Sequence, residues 1–213
     1  MVYARTVGKK TLTLRVSGLL WNRSLIMNDM ETGSEWSQLL GKAMKGKLEG
    51  AKLRSIPAQL TTWDDWKKQH PRTTVLNLPR TSNSYGVEFY RDRSQFVLGL
   101  VIGETAKAWP FDALGRERAV QDTLAGVPLL VTFDRRSTRA LVFSRMLGKE
   151  TLHFQWDPDT GELKDRKSKT TWDPTSGRAV KGPRKGAQLE ILPGIVSHRR
   201  AWRAFHPLSA IMR

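Results

Sequence analysis

The chain has no cysteine among its 213 residues. That excludes disulfides, thiol nucleophiles and cysteine-held metals, and leaves the redox compartment open. Histidine is scarce too: His70, His153, His198 and His206 are the only four, and none stand at the His-x-x-x-His spacing of a helical zinc site. No run of about 18 apolar residues occurs, so nothing reads as a membrane-crossing helix. The first residues lack the charged-then-apolar pattern of a signal peptide, and the default expectation is a cytoplasmic protein. Acids are few, with 20 Asp and Glu against 36 Lys and Arg, for a net charge of +16. Such a surplus favours polyanionic partners: nucleic acid, anionic lipid or an acidic protein.

What the chain does contain is a repeat. Shifted by 136 positions, residues 36–71 fall on residues 172–207 without a gap, and 12 of the 36 pairs are identical. The identities include Trp36/Trp172, Gly41/Gly177, Gly46/Gly182, Pro57/Pro193, Trp66/Trp202, His70/His206 and Pro71/Pro207. These residues set shape: glycine permits positive φ and close approach, and proline fixes φ. Two copies suggest a pseudo-symmetric pair.

Each copy reads as strand, turn, strand, then a short aromatic-faced helix. Thr61 and Ser197 are its expected N-caps, and the residue before Pro71 or Pro207 ends it. Trp63 and Trp66 share a helical face, and Trp66 and Trp202 are expected to fill core sites. Residues 2–6 and 11–16 read as a hairpin across Gly8, residues 96–102 as the most apolar strand, and 127–133 with 139–143 as a further pair. Residues 164–185 read as a long exposed basic loop. The expected fold is mainly β (a β-rich α+β class): residues 1–76 form the second half of a first unit, 77–95 a connector and 96–213 a complete second unit.

Chemical motifs are thin. Residues 41–47 fit the start of a phosphate-binding loop, but Leu48 stands where Ser or Thr must hold magnesium, which leaves a glycine-containing turn. His70 and His206 recur without a recurring acid or nucleophile, so they read as helix C-caps, where a partly charged imidazole is favoured. Lys164, Arg166, Lys167 and Lys169, with Arg184, Lys185, Arg199 and Arg200, form the densest basic region and could track a phosphate backbone. Asn22-Arg23-Ser24 matches a glycosylation acceptor that means little without a secretion signal. No cofactor or metal is expected.

Several stretches together resemble one family. They are residues 11–20, 31–38 and 61–71, Gly103-Glu104-Thr105-Ala106-Lys107-Ala108-Trp109-Pro110, residues 122–128 and 202–207. In family order they resemble the prokaryotic proteins grouped as domain of unknown function 3179. The resemblance implies a shared fold and no activity. Members of that family usually carry an export signal and an extra leading segment that looks like another copy of residues 98–133, ending in a motif with two nearby cysteines. This chain begins after that point and is expected to hold one and a half units. Its first sheet, with Val2, Leu12, Leu14 and Val16, would then lie uncovered.

The function expected from these observations is a non-enzymatic β-rich binding or structural component whose basic surface meets a partner. That partner is expected to be another protein chain, in a homo-oligomer or a larger assembly. The second reading is a nucleic-acid-associated protein or ribonucleoprotein subunit. The third is an enzyme using His70 or His206 in a cleft between the units.

Overall fold

The computed structural model describes residues 1–75 and 92–212. Most of the expected connector, residues 77–95, lies outside the described residues. The chain is mainly β. The first strands are β1 (Val2–Ala4), β2 (Thr6–Val7), β3 (Lys10–Thr11), β4 (Leu14–Trp21), β5 (Ser24–Asp29), β6 (Glu35–Ser37), β7 (Lys42–Lys45) and β8 (Arg54–Ile56), and helix α1 (Trp63–Gln69) follows. Strands β4 to β7 form an antiparallel meander. Asn22 and Arg23 both take positive φ, 46° and 62°, so the β4–β5 connection is a two-residue turn whose twist matches the strands it joins. The hairpin expected across Gly8 is confined to β2 and β3, while β1 pairs with β8, Val2 opposite Ile56. A local hairpin reading could not foresee a partner some fifty residues away.

The second unit continues with β9 (Phe96–Ile102), β10 (Thr105–Pro110), α2 (Phe111–Glu117), β11 (Ala119–Leu124), β12 (Val127–Asp134), β13 (Arg139–Ser144), β14 (Met146–Leu147), β15 (Glu150–Thr151), β16 (Phe154–Trp156), β17 (Leu163–Asp165), β18 (Thr171–Asp173), β19 (Arg178–Lys181), β20 (Ile195–His198), α3 (Arg199–Phe205) and β21 (Ala210–Ile211). Helix α2 is a third helix where the sequence suggested two. Residues 164–185 are not a loop: β17, β18 and β19 cross that stretch as three strands of a second four-stranded meander. Arg178 and Lys181 face solvent, while Leu163, Trp172 and Ala179 are buried together with Asp165 and Thr171. Polar composition alone hides a strand with one solvated face.

The same hydrogen bonds occur 136 residues apart. The Trp36 indole donates to Asp29 Oδ2 at 2.8 Å and the Trp172 indole to Asp165 Oδ2 at 3.1 Å. Ala43 N donates to Ala51 O, and Ala179 N to Ala187 O, both at 2.9 Å. Gly46 and Gly182 both have φ of +101°, and a Cβ would lie 2.8 Å from Ser34 Cα in the first and 2.9 Å from Thr170 Cα in the second. Tyr3 of β1 covers Gly41 as Phe143 of β13 covers Gly177, each within 2.6 Å of a hypothetical Cβ. Strand β1 is therefore the counterpart of β13. Strand β13 pairs with β12 on one side and bridges Ile191 through Phe143 on the other, whereas β1 pairs with β8 alone among the described residues.

The largest core lies in the second unit, where Trp109, Phe111, Leu114, Leu129 and Val131 pack between the sheets and α2. The first unit has a smaller core of Leu12, Trp36, Ala43 and Leu53, with Leu14 packed against it. Leu12 is thus fully buried, against the expectation of an uncovered Leu12 and Leu14, while Val2 and Val16 are exposed. Trp202 is also fully buried, over Gly99 of β9, where a Cβ would fall 2.1 Å from the indole. Its counterpart Trp66 is only half-buried, which corrects the expectation of two equivalent core sites.

Trp202→Ala is therefore expected to cost roughly 3–5 kcal/mol, the range for emptying a core aromatic site. Trp66→Ala is expected to cost about half that or less, because less area leaves water. Urea unfolding midpoints of the two variants check this, and equal losses would contradict it.

Candidate functional site

Helices α1 and α3 end alike. His70 N donates to Trp66 O and His206 N to Trp202 O, both at 2.8 Å, and the two histidines have nearly identical backbone angles. Each imidazole lies tilted against its tryptophan, with ring centroids 4.0 Å apart for Trp66 and His70 and 4.3 Å for Trp202 and His206. The Trp66 indole donates to Thr73 Oγ1 at 2.9 Å, and the Trp202 indole to Ser209 Oγ at 2.8 Å. The helices start one residue later than Thr61 and Ser197 suggested. Thr62 caps α1, its hydroxyl accepting from Asp65 N, while His198 opens α3 without a side-chain cap.

What surrounds the two ends differs. Helix α3 lies on a four-stranded sheet in the order β20, β9, β10, β21. Residues 195–198 run antiparallel to β9, and residues 210–211 run parallel to β10. In the first unit the equivalent residues 59–62 and 74–75 have no strand partner among the described residues. Leu60, Trp63 and Val75 are exposed there. The segment is tied to the second unit by Arg139, which is buried. Arg139 Nη1 donates to Gln59 Oε1 at 3.3 Å, and its Nη2 stands 3.7 Å from Asp65 Oδ2. With its amide oxygen turned toward Arg139, Gln69 accepts from both terminal guanidinium nitrogens, at 3.0 and 3.1 Å.

His206 borders a groove of about 580 Å³ that is also lined by Lys107, Thr123 and Leu208. Burial lowers the His206 pKa, which works against the partly charged cap expected there. Its Nε2 is buried without a hydrogen-bond partner. Behind the groove, Asp122 accepts from Lys107 Nζ at 2.7 Å and from the Trp109 indole at 2.8 Å. Burial opposes ionisation of Asp122, but Lys107, Thr123 and Trp109 outweigh it and keep the carboxyl below its usual range. The carboxylate thus ties β11 to β10 of the neighbouring sheet. Among the described residues no cluster of three or more His, Asp and Glu could hold a metal.

The eight basic residues singled out in the sequence are not equally free. Lys167 and Arg184 both bind Glu150, at 3.0 and 2.7 Å, and Lys164 binds Glu162 at 2.5 Å. Arg166, Lys169 and Lys185 are exposed on the second meander and its turns. Arg199 and Arg200 sit in the first turn of α3, with Arg199 half-buried and Arg200 exposed. No hydrogen bond or ion pair joins the meander cations to those of α3 among the described residues. Sequence spacing missed Glu150, because it lies on a neighbouring strand pair.

The family model described as protein of unknown function (DUF3179) matches residues 1–92 and 79–213. No curated protein and no solved structure matches the chain.

Asp29 and Asp165 generate a pH prediction. Burial opposes their ionisation, but hydrogen bonds from Trp36 and Thr32 in one, and from Ser168 and Trp172 in the other, keep both pKa values low. A carboxyl with a depressed folded pKa stabilises the protein above its unfolded value, and the gain is lost as pH falls through the folded value. Stability is expected to fall below about pH 4. Asp165→Asn is expected to flatten that acid limb and to cost roughly 1–3 kcal/mol at neutral pH. Unfolding midpoints between pH 2 and 7 check both, and an acid limb unchanged in the variant would contradict the assignment.

Proposed function

The chain belongs to the DUF3179 family, whose description assigns no activity, and from its own surfaces we propose that it is a non-enzymatic β-rich module that binds another polypeptide through its first unit. The observation that carries this reading is where apolar surface stands exposed. Of the twelve large hydrophobic side chains exposed among the described residues, ten lie in residues 1–75; only Val180 and Leu208 lie in the second unit. Val16, Leu19 and Leu20 are 70, 54 and 70% exposed on β4. Exposed apolar surface of this kind marks interaction sites more often than it occurs idly. Strand β1 adds an edge: among the described residues it pairs with β8 alone, whereas β13 pairs with β12 and also bridges Ile191 through Phe143, and a free edge is a template for pairing.

The high positive charge fits an acidic rim on that partner and speeds encounter with it. Nucleic acid is the alternative, which the scatter of free cations over separate elements does not favour. The histidine-based enzyme reading has less behind it, because neither imidazole meets a carboxylate or a nucleophile through any hydrogen bond of the described residues.

Cross-linking in native lysate, with and without nuclease, separates the first two readings. The expected result is a protein partner that survives nuclease and is lost from a Val16→Ser, Leu20→Ser variant whose unfolding midpoint is unchanged. Loss of the partner on nuclease treatment, with capture unaffected by the variant, would overturn the proposal in favour of nucleic acid.

A further inference from the structure

In the second unit, residues 195–198 and 210–211 are the outer strands of a sheet whose two inner strands are β9 and β10. The inner pair is a hairpin, turning at Gly103 with Thr105 opposite Ile102. It does two things for α3. It gives residues 195–198 and 210–211 their backbone partners, and it places Gly99 under the Trp202 ring, where any side chain would collide. Among the described residues the first unit has the counterparts of the outer segments and no counterpart of the inner pair. Residues 59–62 and 74–75 correspond to 195–198 and 210–211 by the same shift of 136, yet they carry no strand pairing. Trp66 keeps the indole-to-hydroxyl bond of its counterpart but not its burial.

We infer that the first unit has an open slot for an inserted β-hairpin, bounded by residues 59–62, residues 74–75 and the Trp66 side of α1. The inference rests on the reading of this unit as the binding unit. The occupant is a partner polypeptide presenting an apolar two-stranded hairpin like Phe96–Pro110. Its first strand runs antiparallel to residues 59–62 and carries glycine where the Trp66 indole crosses. Its second strand runs parallel to residues 74–75. Backbone pairing on both edges supplies affinity, as in other strand-addition complexes, and the glycine supplies selectivity. Leu60, Trp63 and Val75, all exposed now, would border the inserted strands.

The test uses the full chain and a synthetic peptide of residues 96–110 with a solubilising tail. Calorimetric titration is expected to give one-to-one binding. The same peptide with Gly99→Val is expected to bind at least about tenfold more weakly, since overpacking an indole contact is costly. Hydrogen exchange locates the contact: amides of residues 59–62 and 73–75 are expected to gain protection, with those of 195–198 unchanged. No saturable binding, binding indifferent to the valine, or protection only at residues 195–198 would each overturn the inference. A nuclease-resistant partner lost on Val16→Ser, Leu20→Ser, together with a hairpin that fails to bind, would sink the slot and leave the wider reading standing.

Discussion

A carboxylate cannot sit at 1% exposure in a β-protein unless its oxygens are fully used. Asp29 uses them within seven residues: Thr32 donates from both its backbone amide and its hydroxyl, and the Trp36 indole donates from the next strand. That closes the turn between β5 and β6, and the turn sets their register. Register places Trp36 in the core, and the buried Ser34 hydroxyl then meets Leu48 N at 3.0 Å, which brings the β7 turn across the meander. Asp165, Ser168, Trp172 and Thr170 repeat the arrangement, with Thr170 Oγ1 accepting from Arg184 N at 3.2 Å. The indole-to-carboxylate bond comes first in each meander, because each later contact presupposes the position of the tryptophan.

Two units with one internal construction end in different surroundings, and the difference is instructive. Inside the meanders Asp29 and Asp165, Trp36 and Trp172, and Ala43 and Ala179 keep the same partners and the same burial. At the helices the partners change: one tryptophan is sealed by a glycine-bearing strand and the other is half-open. Whether residues equivalent to 195–198 become a strand depends on whether something lies beside them. Local preference is too weak to decide that alone.

The parts of this structure legible in the sequence are those enforced by nearby backbone geometry. Gly46 and Gly182 were visible as repeats because no other residue fits 2.8–2.9 Å from a backbone carbon. The strand at 96–102 was legible from its own run of apolar residues. Parts that depend on distant partners were not. The pairing of β1 with β8, the strands hidden in residues 164–185 and the neutralisation of Lys167 and Arg184 by Glu150 all rest on residues brought in from other elements. Helix α2 escaped because its seven residues, following Pro110, show no second periodic turn. The unequal burial of Trp66 and Trp202 was illegible for the deepest reason. The two tryptophans hold aligned positions, and among the described residues only Trp202 has a strand, β9, packed beneath it.

The sheet under α3 also sets an order in time. Strand β9 meets β10 at once, through a two-residue turn, but its other edge waits for residues 195–198, about a hundred positions downstream. On a ribosome adding roughly 5–20 residues per second, that edge of the most apolar strand stands open for several seconds. Closing so long a loop is entropically slow compared with forming either meander, whose strands follow one another directly. The backbone pairing of the meanders is thus local, whereas the sheet carrying Gly99 is complete only when residues 195–205 bring Trp202 down onto it. Until residues 195–198 are made, strand β9 keeps an unpaired edge, which is a template for pairing with a neighbouring chain.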